Sequence, residues 1–282
     1  MTSSLGKIRK KIKEEVASLL NIYVADLELH GVLIFATEQR PSLAEEGGPI
    51  ISTGHYIHNY PLIYGFAGRN IEAYSVIPSL HFLSYEDLGK NMMIRNNKRK
   101  LQYTYVEEQL RNLLEGRESI YVFPAYPEKV IAKKFFMQAK GSGYAEFRGA
   151  LKTVYPRLEH YVAIVPPSRF KTIVISRGSE LPKEMYLRIG MKRMGLFKVY
   201  LRKADIGENV VEPVWSTIPV NLYDVEIFGY TPVDVAKVLE TRSKAPGKLL
   251  ASVIGYIRAR NMFVVKTDKR FIVPLPMKAE RR

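Results

Sequence analysis

Apolar residues at spacings of three and four open the chain, with Leu5, Ile8, Ile12, Val16, Leu19 and Leu20 forming one stripe. The stripe predicts an amphipathic helix over 5–22, with Ser3 or Ser4 as its N-cap and a lysine-rich outer face. The period then shortens to two. From Tyr23 to Phe35 the pattern alternates and then becomes continuously apolar, as in a strand buried on both faces. From Thr37 to Gly54 it breaks up around Pro41, the Glu45-Glu46 pair, Gly47, Gly48 and Pro49, which predicts a long loop. A short apolar helix follows, opened by His58-Asn59-Tyr60 ahead of Pro61 and running to Phe66. Strands are expected over 75–83 and 119–123, with a basic turn at 96–100 and a helix over 106–114 between them.

Beyond Lys129 the pattern is rich in strands, expected over 130–138, 160–165, 172–176, 185–189 and 197–202. Turn signals separate them at Gly141-Ser142-Gly143, at Pro166-Pro167-Ser168 and between Gly190 and Gly195. A helix over 232–242, a break at Pro246-Gly247 and a hairpin over 262–275 complete the reading. Interleaved strands with few helices predict an α+β protein. The expected layout is of the RNA-recognition type, an antiparallel sheet with helices on one face and a basic, aromatic opposite face. Three segments are expected: a helical extension over 1–24, a core over 25–205, and an α+β segment over 206–282.

Charge sharpens this picture. The net charge is +15, and residues 90–203 alone carry 24 basic and 9 acidic side chains. The same segment holds Tyr103, Tyr105, Tyr121, Tyr126, Phe135, Phe136, Tyr144 and Phe147. Cations interleaved with aromatics suit a phosphate backbone carrying splayed bases, although a solvated face or an acidic partner protein would share the composition. No cysteine is present, which excludes disulfides, thiolate zinc sites and cysteine nucleophiles. No apolar run approaches a membrane span and no secretory pattern follows the basic N-terminus, so a cytoplasmic protein without membrane association is expected.

Candidate chemistry is sparse. His55 and His58 lie three apart, but no acid follows closely enough to complete a metal site, so capping and packing are the expected roles of His58. His160, near Arg169 and Lys171, has the ingredients of a metal-independent ribonuclease, an imidazole base with cations for the phosphorane. Phosphate-loop, zinc-protease and paired-carboxylate motifs are absent. Arg95, Lys98, Arg99 and Lys100 form the densest cationic cluster, and Lys192 and Arg193 sit between flanking glycines.

Four blocks occur in an order that carries a resemblance. They are Thr53 to Phe66 (TGHYIHNYPLIYGF), Tyr121-Val122-Phe123-Pro124-Ala125, Pro166-Pro167-Ser168-Arg169-Phe170, and Leu187 to Arg193 (LRIGMKR). With the strand ending Leu33-Ile34-Phe35-Ala36-Thr37, they resemble the small subunit of type I-D CRISPR interference complexes, the Csc-one type of the Cas-five family, across roughly residues 27–202. The resemblance implies a ferredoxin-like core of the repeat-associated RNA-binding superfamily with a protruding β-hairpin thumb, which charge and position place at about 90–105. It implies a non-catalytic subunit that caps the 5′ handle of the crRNA and docks against the backbone and large subunits, with target DNA near the PAM as a further contact. Neither cofactor nor metal is implied. The residues expected at the RNA are Tyr56, His58, Asn59, Arg95, Lys98, Arg99, Lys100, Tyr103, Arg169, Lys192 and Arg193. The alternative is a metal-independent endoribonuclease, acting through His160, that processes CRISPR RNA.

Overall fold

The structure, a computed structural model, describes residues 20–34, 38–40, 50–52, 55–69, 104–139, 157–190, 193–241 and 253–276. It is an α+β fold built on mostly antiparallel sheets. Strand β1 (Asn21–Leu29) is central, flanked on one side by β6 (Arg157–Arg177) and on the other by β8 (Gly195–Val210), both antiparallel to it. These two long neighbours each carry further strands on their far edges. β4 (Ser119–Val122) and β5 (Tyr126–Ala139) pair with β6, while β7 (Glu184–Ile189) and β13 (Met262–Lys266) pair with β8. The terminal strand β14 (Arg270–Val273) closes the expected hairpin with β13.

One face of this sheet is apolar and covered. Leu27 on β1 is paired with Phe170 on β6, and Phe197 on β8 is paired with Leu29 on β1 and Leu187 on β7; all are buried. Phe170 and Phe197 meet edge-on at 6.2 Å between ring centres. Each such side chain removed from water contributes about 1.5–3 kcal/mol. Helices α1 (Asn59–Phe66) and α2 (Thr104–Glu115) share this core. Gly65 lets α1 approach β7 closely, since a Cβ there would stand 3.0 Å from the Ile189 Cγ2. The N-terminus of α1 is capped as expected, with the His58 Nδ1 accepting a 3.1 Å bond from the Tyr60 N–H.

A second sheet, of four strands, joins β10 (Val220–Asn221), β12 (Val253–Ala259) and β11 (Asp234–Thr241), with β9 (Val214–Trp215) also on β12. The boundary expected at 205/206 falls inside β8, which continues to Val210, and buried residues from both sides of it share one core. Helix α3 (Leu222–Ile227), capped by Asn221, carries Asp224 into that core. There the carboxylate accepts from the Asn59 Nδ2 at 2.6 Å, the Tyr121 hydroxyl at 2.8 Å and the Tyr60 hydroxyl at 3.1 Å. Asn59 is held in turn by the Asn221 Nδ2 at 3.3 Å. Asp224, Asn59 and Tyr121 have no exposed surface, so every polar atom here needs these partners.

Four expectations are corrected. The helix foreseen over 232–242 is strand β11, because Val235, Val238 and Leu239 fit a helical spacing by accident while residues 234–241 pair with β12. That pairing is interrupted by a bulge between Ala236 and Glu240, where Lys237 adopts φ 48°. The Pro166-Pro167-Ser168 turn is no turn either. β6 runs through it, with a cis peptide between the prolines and a bulge against β5. Two prolines remove two ladder donors, and Ser168 replaces the pairing: its hydroxyl accepts from the Ile131 N–H at 2.9 Å and donates to the Val165 carbonyl at 2.6 Å. The loop over 37–54 contains the small ribbon β2 (Glu38–Arg40) and β3 (Ile50–Ser52), the latter parallel to β6. Asn21 and Ile22 belong to β1 and not to the helix expected over 5–22; residues 5–19 of that expectation, and the strand expected over 75–83, lie outside the described residues.

Two measurements test this core. Asp224→Ala strands three buried donors and is expected to lower the unfolding free energy by about 3 kcal/mol or more in urea titration. Burial raises the Asp224 carboxyl from 3.8 to about 6, against the opposing hydrogen bonds from Tyr121, Asn59 and Tyr60. The folded chain therefore binds this proton at higher pH than the unfolded chain does. The contribution to stability is greatest below pH ~3.8 and declines as pH rises towards ~6. Relative to Asp224→Asn, the parent should gain up to about 3 kcal/mol between pH 7 and pH 4. Ser168→Ala should cost about 1–2 kcal/mol in the same titration.

Candidate nucleic-acid interface

The face of the main sheet opposite the helices is polar, and strand register arranges its side chains in rows. One row crosses the sheet as Arg169 on β6, Glu28 on β1, Lys198 on β8 and Tyr186 on β7. The next runs Tyr126 on β5, Lys171, Asp26, Tyr200 and Glu184. Alternation along each strand puts these groups outward while Leu27, Phe170, Phe197 and Leu187 point inward. Tyr186 is 64% exposed, and Arg188 beside it on β7 is also exposed.

Electrostatics organise the centre of this face. Lys171 is nearly buried, and its ammonium bridges Asp26 at 3.2 Å and Glu128 in a shorter contact. Burial alone would lower its pKa, but hydrogen bonds to Glu128 and Asp26 carry it above the ordinary lysine value. Asp26 also accepts from Arg202 at 2.7 Å, and Arg202 reaches Asp268 at 2.9 Å. Around this fixed centre the cations are more open. The Arg169 guanidinium, 60% exposed, lies 3.3 Å from Glu28. Lys198 stands over the Tyr200 ring at 4.6 Å and 3.2 Å from Glu184. Hydrogen bonding to Tyr200 and Glu184 raises Lys198, so it stays charged. A cavity of about 370 Å³ opens here, lined by Asp26, Leu27, Glu28, Glu128, Arg169, Phe170 and Tyr200. At the margin, β5 exposes Lys129, Lys133 and Lys134.

The expected RNA residues divide into three groups. Arg169 lies on the open face. Arg193 is exposed in the β7–β8 turn at φ 55°, its N–H bonded to the Gly190 carbonyl at 3.0 Å. Gly190, at φ 82°, makes that turn, and it admits the chain's own backbone, for a Cβ would stand 2.9 Å from the Ile34 carbonyl. Tyr56, His58 and Asn59 lie at the helical layer instead. Tyr56 is 3% exposed, Asn59 is committed to Asp224 and Tyr121, and His58 caps α1. Arg95, Lys98, Arg99, Lys100, Tyr103 and Lys192 lie outside the described residues, as does the expected thumb except at its last two residues, where α2 begins. His160 is in β6 opposite Phe136.

Lys171, Tyr186, Arg188, Lys198 and Tyr200 were not among the expected site residues. Their signal was the polar half of each alternating strand, but only the register shows that these halves meet.

Among the described residues no helix is long and apolar enough to cross a membrane. A comparison with curated proteins finds no match. The family model described as type I-D CRISPR-associated protein Cas5/Csc1 matches residues 20–278, taking in both sheets and the polar face. The chain therefore belongs to the type I-D CRISPR-associated Cas5/Csc1 family.

Proposed function

We propose that this subunit holds the 5′ handle of a crRNA on the open face of its main sheet, without cutting it. The observation that carries the reading is the juxtaposition of Arg169, Arg188 and Lys198 with Tyr186 and Tyr200 on a face that, among the described residues, no helix covers. Cations at this spacing follow a phosphate backbone, and flat rings accept unstacked bases, which is how single-stranded RNA is bound. The exposed lysines of β5 extend the same potential beyond the sheet centre. In this reading the antiparallel sheet and its helices are the ferredoxin-like core, with the basic segment over 90–105 serving as the thumb. The cations there, Arg95, Lys98, Arg99 and Lys100, add phosphate contacts with Lys192 and Arg193. Fixing one RNA end sets the register along which the backbone subunit polymerises. The large subunit, and target DNA near the PAM, would meet the complex beside that end.

The test is binding and cleavage of a labelled guide RNA with its 5′ handle, with and without EDTA, beside the same RNA lacking the handle. Intact RNA, handle-dependent binding and roughly tenfold weaker binding by the Arg169→Ala/Arg188→Ala/Lys198→Ala variant at 0.15 M salt are expected. Lys98→Ala/Arg99→Ala/Lys100→Ala should weaken binding and flatten its salt dependence. Cleavage that resists EDTA and disappears in His160→Ala would replace this reading with the ribonuclease. Equal binding with and without the handle would leave a basic scaffold without end recognition.

A further inference from the structure

We propose that the cavity on the open face receives one splayed nucleobase with hydrogen-bond donors on its Watson–Crick edge, guanine before the others. The inference rests on the RNA-binding reading above and adds a base identity to it. At about 370 Å³ the cavity is at the small end of ligand-sized pockets, suited to a single base and not to a helix. Two flat groups line it, the Tyr200 ring and the Arg169 guanidinium, and base planes stack on either kind.

The polar lining is unusual for so basic a chain. Asp26, Glu28 and Glu128 all face the cavity, with side chains 31%, 29% and 35% exposed. The nearest buried donor is already committed, because the Lys171 ammonium, 6% exposed, is held between Asp26 and Glu128. Arg202 is likewise turned onto Asp26 and Asp268. Each carboxylate keeps acceptor positions beyond these bonds, since two oxygens offer about four. Arg169, the one cation in the lining, is itself turned onto Glu28, so the remaining polar lining presents acceptors and a ligand that meets it must bring donors.

That requirement sorts RNA chemically. A phosphate brings only negative charge and is repelled, so the backbone is left to Arg169 and the outer cations. Uracil presents two carbonyls and a single N–H, which sets acceptors against acceptors. Adenine and cytosine each present an amino group. Guanine presents N1–H and the N2 amino group side by side, matching one carboxylate in a two-bond arrangement. Glu28 is the best placed to make it, because its neighbours Arg169 and His30 are themselves exposed side chains that can shift.

Fluorescence anisotropy with the full chain tests this. The probes are labelled ten-nucleotide RNAs, one all-uridine and the others carrying a single guanosine at each position in turn. At one position guanosine should bind roughly tenfold more tightly than uridine. Adenosine and cytidine at that position should fall between the two. Glu28→Gln should bring the guanosine-to-uridine affinity ratio close to one, and Tyr200→Leu should lower it independently. RNA bound with no base preference at any position overturns the pocket while leaving the RNA-binding reading intact. The occupant would then be sought among basic side chains of a partner protein. Equal loss of both affinities in Glu28→Gln assigns that residue to folding and also overturns the proposal. No binding of any RNA would overturn both readings together.

Discussion

A single buried carboxylate ties the layers of this protein together. Asp224 has no exposed surface, and its three donors come from two distant parts of the chain, Asn59 and Tyr60 on α1 and Tyr121 on β4. Removing a carboxylate from water is unfavourable unless hydrogen bonds replace the lost hydration, so the network holds as a whole or hardly at all. Its consequence is positional. With α1 locked to β4 and α3, the helical layer cannot slide over the apolar face, and the polar face on the other side keeps its strand register.

This accounts for the His-Asn-Tyr run that stands out in the sequence. His58 caps the helix, Asn59 and Tyr60 reach the carboxylate, and Pro61 occupies the first turn, where its missing N–H costs nothing. A motif in a family of CRISPR-associated proteins invites a direct reading as ligand contacts. Within this chain its observed work is to join helix to sheet, while the cations that meet solvent lie on strands whose sequences look ordinary.

Legibility followed the range of the interactions. The helix opening at His58, the helix over 106–114 and the hairpin over 262–275 rest on local signals and were read to within a few residues. β11 was not, because Val-x-x-Val-Leu is compatible with either period and pairing with β12 decides it. Nor was the path through Pro166-Pro167, where the Ser168 hydroxyl closes the ladder to β5 by accepting from the Ile131 N–H, 37 residues earlier in the chain. The open face was half legible. Strands 185–189 and 197–202 were recognised as such, yet that Arg169, Glu28, Lys198 and Tyr186 form one row depends on register across four strands. Asp224 gave no signal at all, being one acid in a short helix that its sequence does not advertise.

The length of β8 has a consequence of another kind. Its first part pairs with β7 and its last part with β13, while β1 lies along the opposite edge. Loss or gain of one residue between these two stretches would leave the β7 pairing in place and turn the later side chains to the wrong side, unless a further bulge like the one β8 already makes against β13 absorbed it. Substitutions in this strand are judged one by one, but a change of length is judged by everything downstream. Descendants of this chain are therefore free to vary the letters of β8 far more readily than their number, and insertions will accumulate at its turns.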